Sequence, residues 1–202
     1  MANSETGTST SYTLGGEYQV FLSFRGPDTR REFTNVLYHD FRRAGIHVFM
    51  DDEELRLGER ISGNLLRAID DSRLYIPIFS PNYASSHWCL HELAKMVEYT
   101  SESRREDGNE KVILPIFYNV KPDDVKLRTQ LYSNDILNLE QMMEDQKKKL
   151  SSEDVETWRQ ALRRVGGARG VGTAELYRVI FEGPLFQRVS EDVRVMVRSY
   201  YS

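Results

Sequence analysis

The chain has 202 residues, enough for one core of ordinary size and tight for two. Hydrophobic residues make up 40% and charged residues 29%, a balance that excludes wholesale disorder. A net charge of −4 argues against attachment to nucleic acid by bulk charge. A single cysteine excludes an internal disulfide and a Cys-cluster zinc site, and fits a reducing compartment.

Residues 1–15 are polar and rich in Ser and Thr. They lack the basic and apolar regions of a secretory signal and read as a flexible tail, leaving 16–202 as one domain. Tyr18 to Phe24 is a β-rich run stopped by Arg25-Gly26-Pro27. Thr29 is the expected cap of a helix to about Arg43, with Phe33, Leu37 and Phe41 on one face and Gly45 ending it. Ile46 to Met50 is a second strand, and Asp51 to Gly58 a polar, acidic loop. Ile61, Leu65 and Ile69 mark a short helix. Arg73 to Phe79 is a third strand, Trp88 to Thr100 a helix, and Lys111 to Tyr118 a fourth strand. Beyond residue 122 the pattern turns helical, with Ser152 to Arg164 as one helix. A Gly-rich break spans 166–172 with a short fifth strand near Val171, and an amphipathic helix runs through Leu185, Val189, Val193, Met196 and Tyr200. No apolar run approaches the ~20 residues of a spanning helix.

Apolar strands alternating with helices predict an α/β fold: a flavodoxin-like, doubly wound, five-stranded parallel sheet. Ligands of such folds bind beyond the carboxyl ends of the strands. Those ends carry Phe24-Arg25-Gly26, Asp51-Asp52, Ser80-Pro81 and Asn119-Val120. No GxGxxG follows the first strand, no G-x-S-x-G elbow exists, and Gly167 to Gly172 is followed by Thr173 where a P-loop requires Lys. His87, Cys89 and His91 crowd one helix start, but Cys89 points away from the histidines; two exposed histidines and a buried thiol are expected there, and no metal. Glu92 lies one turn after Trp88. It reads either as a partly desolvated carboxylate able to face a cationic centre or as a solvated glutamate pairing with Lys95 or an arginine. Arg25-Gly26 reads either as a phosphate contact or as a plain turn.

Tyr18-Gln-Val-Phe-Leu-Ser-Phe-Arg-Gly-Pro-Asp-Thr-Arg30 closely resembles the opening of plant Toll/interleukin-1 receptor (TIR) domains. The resemblance continues through Ile46 to Asp52 with Leu57-Gly58, Leu66 to Ile69, Ser80 to Ser86, Trp88-Cys-Leu-His-Glu-Leu93 and Val112 to Tyr118, covering roughly residues 17–165. It implies the flavodoxin-like fold, immune signalling and cell death through self-association, and cleavage of NAD⁺ or NADP⁺ as substrate, with no cofactor. It places the family's catalytic glutamate on Glu92 and makes Arg25, Gly26, Ser86 and Trp88 candidate substrate contacts. Asp28 and Arg30 are expected to brace the first helix. Asp51, Asp52, Leu57 and Gly58 fall on the BB loop, which in the family completes a neighbour's pocket. Implied partners are copies of this chain and other TIR proteins; nucleic acid is disfavoured by the acidic balance. The implied compartment is the cytoplasm, with the nucleus as a second. The chain departs from the family at Asn35-Val36 (often Ser-His), Gln130 (usually Gly) and Val171 (often Trp). A TIR–TIR scaffold without catalysis stays open as the alternative.

Overall fold

The computed structural model describes residues 18–50, 63–103, 111–145, 151–168 and 171–172. The expected tail, the acidic loop with Asp51, Asp52, Leu57 and Gly58, Ile61, and the C-terminal amphipathic helix lie outside them. In chain order come β1 (Val20–Phe24), α1 (Gly26–Thr29), a π-helical turn (Arg30–Thr34), α2 (Asn35–Arg43), β2 (Val48–Met50), α3 (Gly63–Asp71) and β3 (Leu74–Phe79). A 3₁₀ turn (Tyr83–Ser85), α4 (His87–Ser103), β4 (Val112–Ile113), β5 (Ile116–Phe117), α5 (Pro122–Val125), α6 (Gln130–Asp145), α7 (Ser152–Gly166) and β6 (Val171–Gly172) follow.

All pairings are parallel, and the sheet order is β2-β1-β3-β5-β6 with β4 also on β3. The expected fourth strand is broken in two. Leu74 pairs with Val112 and Ile78 with Ile116, so the same register sets Pro77 opposite Pro115. Neither proline has an N–H, and the ladder opens where they meet. With β4 and β5 counted as one interrupted strand, the sheet is the predicted five-stranded, doubly wound arrangement.

The pleat sorts β1 by parity. Val20, Leu22 and Phe24 pack with Leu37 and Phe41 of α2 on one face. Phe21 packs with Leu65 and Ile69 of α3 and Met96 of α4 on the other. A further cluster joins Leu90 and Leu93 of α4 to Tyr132 and Ile136 of α6 and to Trp158 and Leu162 of α7. Parity therefore places Ser23, alone polar among the strand's five buried residues, on the α4 side.

The first helix starts earlier than expected. Arg25 is the extended residue before it and Pro27 sits in its first turn, where a fixed φ and a missing N–H cost nothing. Thr29 stands at the cap position of the π-helical turn but makes no side-chain capping bond; it is buried, and its hydroxyl receives that of Thr34 at 2.8 Å. The end is as predicted. Gly45 has φ 80°, its N–H reaches the Arg42 carbonyl, and Ile46 N–H reaches that of Phe41, a Schellman closure.

Gly166 ends α7 against α5. A Cβ there would lie 3.0 Å from Val125 Cγ1 and 3.1 Å from the Lys126 backbone nitrogen. Alanine would normally gain up to ~1 kcal/mol in a helix, but overpacking costs about 1–3. Gly166→Ala is expected to lower stability by about 1–2 kcal/mol, seen as a fall in Tm of roughly 2–6 °C. An unchanged or raised Tm would show that α5 yields.

Candidate active site at the carboxyl edge of the sheet

The site forms where β1 and β3 end and α4 begins. The Cys89 thiol, buried as expected, lies 3.5 Å from the Phe24 carbonyl and fixes the start of α4 beside the end of β1. Ser86 stands just before α4: its carbonyl accepts Leu90 N–H and its Oγ accepts Cys89 N–H at 3.4 Å. Ser86 is thus the helix cap at the rim of the site.

Glu92, on the second turn of α4, is 6% exposed. The Ser23 hydroxyl donates to its Oε2 at 2.5 Å, at the short end for an O–H···O bond. This burial overturns the solvated reading, and Lys95 pairs instead with Glu98 at 2.7 Å. Ser23 Oγ also lies 2.8 Å from the Tyr83 hydroxyl, which reaches the Cys89 carbonyl at 3.1 Å. Burial, foremost, and the neighbouring Cys89 and Glu92 groups push the Tyr83 phenol well above its usual range, so it stays protonated.

A second cluster ties the first loop to the loop after β3. Asp28 accepts from Arg25 Nη1 at 2.7 Å, Ser80 Oγ at 2.6 Å, Asn82 N–H at 3.1 Å and Asn82 Nδ2 at 3.2 Å. Burial alone would raise its pKa, but the bonds from Ser80 and Asn82 and the Arg25 charge outweigh it, and the carboxyl titrates below its ordinary value. The bracing expected of Asp28 is present in these bonds. Arg30 lies over the Phe24 ring, 4.9 Å from its centroid. Asp135 of α6 shows the opposite balance: burial raises its pKa, the Arg25 charge lowers it, and the Asp28 charge raises it. The net shift is upward, and its Oδ2 is buried without a hydrogen-bond partner.

The candidate contacts are thus placed unequally. Gly26 is buried at the start of α1, and Trp88 is half-buried four residues before Glu92, its ring 5.0 Å from that of His87. The Arg25 guanidinium carries Asp28 on Nη1, so a phosphate reaching it would meet a group already engaged. The expectation of two exposed histidines is corrected: both are half-buried. His91 packs edge-on to Trp158 at 4.9 Å, and burial lowers its pKa. α7 covers this flank of α4, which its own periodicity could not reveal. Among the described residues no group of His, Cys, Asp and Glu could hold a metal ion. No described helix is long and apolar enough to cross a membrane.

Ser23 and Tyr83 were not among the residues the sequence singled out. The signal was present: a serine inside the buried run Val20-Phe-Leu-Ser-Phe24 must find a partner, because an unpaired hydroxyl in such a strand costs about 1–3 kcal/mol.

The parallel sheet in the order 2-1-3-4-5 defines a flavodoxin-like α/β domain, and the buried Glu92 at its carboxyl edge marks a candidate site built from β1, the loop after β3 and α4. The chain belongs to the TIR domain family, whose model matches residues 17–193. It is 36% identical over 162 residues to the TMV resistance protein N of Nicotiana glutinosa, covering 80% of this chain and 13% of that protein. It is 39% identical over 115 residues to the probable 2′ cyclic ADP-D-ribose synthase BdTIR of Brachypodium distachyon, covering 56% of this chain and 47% of that one. Among solved structures, the TIR domains of the activated Roq1 resistosome, which directly recognizes the pathogen effector XopQ, match with a TM-score of 0.63 and 35% identity. That match covers 89% of this chain and 99% of the other. The chain thus spans less than half of the length of these curated relatives.

Proposed function

We propose that this chain is an NAD⁺ nucleosidase of plant innate immunity, active in the cytoplasm when copies assemble through TIR–TIR contacts. Glu92 is its catalytic residue. The observation that carries this is the buried Glu92 carboxylate, held by a 2.5 Å bond at the edge where ligands of doubly wound sheets bind. The likeness to a cyclic ADP-ribose synthase supports the substrate class, and the likeness to domains of an activated resistosome supports assembly.

The chemistry suits one fixed carboxylate. The nicotinamide of NAD⁺ is a cation and departs as a neutral molecule, so its leaving needs no strong acid. The bond to ribose C1′ breaks with its electron pair going to the pyridine nitrogen, and positive charge builds on C1′ and the ring oxygen. A carboxylate already desolvated and oriented stabilises that charge without reorganising. Water adding to C1′ releases a proton and gives ADP-ribose; a hydroxyl of the same molecule adding instead gives a cyclic product. Trp88 and Ser86 form the rim of the pocket, and Arg25 and Gly26 lie where the phosphates would run. NADP⁺ would enter by the same chemistry. Asp51, Asp52, Leu57 and Gly58 supply the loop through which a neighbouring copy completes the pocket.

The test is nicotinamide release from NAD⁺ by wild type and Glu92→Ala over a protein concentration series. Release rising faster than linearly with wild-type protein, and absent from the variant, is expected. No release by assembled wild type would leave the scaffold reading in its place.

A further inference from the structure

The hydrogen bonds behind Glu92 can be assigned by counting protons. Ser23 and Tyr83 bring one hydroxyl hydrogen each to three contacts: Ser23 to Glu92 at 2.5 Å, Ser23 to Tyr83 at 2.8 Å, and Tyr83 to the Cys89 carbonyl at 3.1 Å. A carboxylate accepts only, so the Ser23 hydrogen is committed to Glu92. Tyr83 must then be the donor to Ser23 Oγ, sharing its hydrogen with the more distant Cys89 carbonyl. The result is a directed chain, Tyr83 O–H to Ser23 O–H to Glu92 Oε2. Each donor polarises the next, and the chain ends on a negative charge. Ser23 and Tyr83 are 0% exposed, so bulk water cannot replace either link.

Resting on the reading of Glu92 given above, we propose that Ser23, backed by Tyr83, is a positioning residue: its hydroxyl fixes the Glu92 side chain and keeps it in the carboxylate form. Beside Tyr83 of the 3₁₀ turn stand the titratable groups Cys89 and Glu92 of α4 and Tyr132 of α6. The hydroxyl chain offsets part of the desolvation of the Glu92 charge. The two links differ in kind. Ser23 touches the carboxylate directly and fixes its rotamer, whereas Tyr83 acts only by orienting and polarising Ser23. The effects of removing them are therefore graded.

The experiment is a titration of the Glu92 carboxyl by carbon NMR in the full chain, assigned by its disappearance in Glu92→Gln, for wild type, Ser23→Ala, Ser23→Thr and Tyr83→Phe. A hydrogen bond to an ionised group shifts a pKa by about one to two units. Ser23→Ala is expected to raise the Glu92 midpoint by about one unit, Tyr83→Phe by a smaller step, and Ser23→Thr to restore it. In turnover of NAD⁺, Ser23→Ala is expected to lower kcat about ten-fold with KM changed less than about two-fold, and to move the acid limb of the kcat profile upward by the same one unit. A lower kcat with an unmoved midpoint and acid limb would show a merely structural serine and overturn the proposal. Should Ser23→Ala not fold, an unmoved midpoint in Tyr83→Phe would overturn it. A shifted midpoint in a chain whose wild type releases no nicotinamide would instead refute the enzymatic reading, with the hold of Ser23 on Glu92 left standing.

Discussion

Asp28→Ala is expected to lower the stability of the fold by about 3 kcal/mol, measured by chemical denaturation, through the loss of one carboxylate that four donors share. The removal strands Ser80, whose hydroxyl is buried and donates to Asp28 at 2.6 Å, and frees the Arg25 guanidinium from its 2.7 Å partner. It also releases Asn82, and with it the tie between the first loop and the loop after β3. Asp28→Asn, which keeps one carbonyl acceptor, is expected to cost about half as much. The pH dependence has a definite sign. The Asp28 carboxyl titrates below its ordinary value in the folded chain, so its stabilisation is full above about pH 4 and is lost as pH falls through the folded value. Asp135 opposes it. With its pKa raised, its penalty grows as pH rises from about 4 toward its folded value, and acid relieves it. The difference between wild type and Asp28→Asn should therefore shrink below about pH 4. A constant difference down to pH 2 would contradict the assigned role of the charge.

The strands were legible because a parallel sheet covered on both faces demands near-continuous apolar runs: Leu74 to Phe79 is such a run, and Val20 to Phe24 is one but for Ser23. Gly45 was legible because a Schellman closure needs φ above zero. Three features were hidden for physical reasons. Arg25-Gly26-Pro27 reads as a stop, yet proline suits a first helical turn as well as a loop, and the tertiary ties of Asp28 decide between them. Pro115 broke the fourth strand only because the register sets it against Pro77, a pairing no local window contains. The burial of His91 depends on Trp158, 67 residues further along. At the site, the resemblance marked Glu92, and helical periodicity put it one turn from Trp88. The partners that make it a held carboxylate come from β1 and the 3₁₀ turn, and only the assembled sheet brings them together.

The largest effect on activity is expected from Glu92→Gln, which keeps the volume and one acceptor for the Ser23 hydroxyl while removing the charge. The fold should change little, by about 1 kcal/mol or less, because burying a neutral amide costs less than burying a carboxylate and the Ser23 bond has a carbonyl to go to. The chemistry should change much more. A preorganised electrostatic contact to a developing charge is worth about 2.7–4 kcal/mol, or roughly 100- to 1,000-fold in rate. KM should move far less, since the charge that Glu92 opposes appears on the ribose only as nicotinamide leaves.

Nicotinamide release from NAD⁺, measured side by side for wild type and Glu92→Gln at equal assembled concentration and with matching thermal melts, puts the role of this carboxylate to the proof. A rate at least about 100-fold lower in the variant is the predicted result. Equal rates from two equally folded proteins would contradict it.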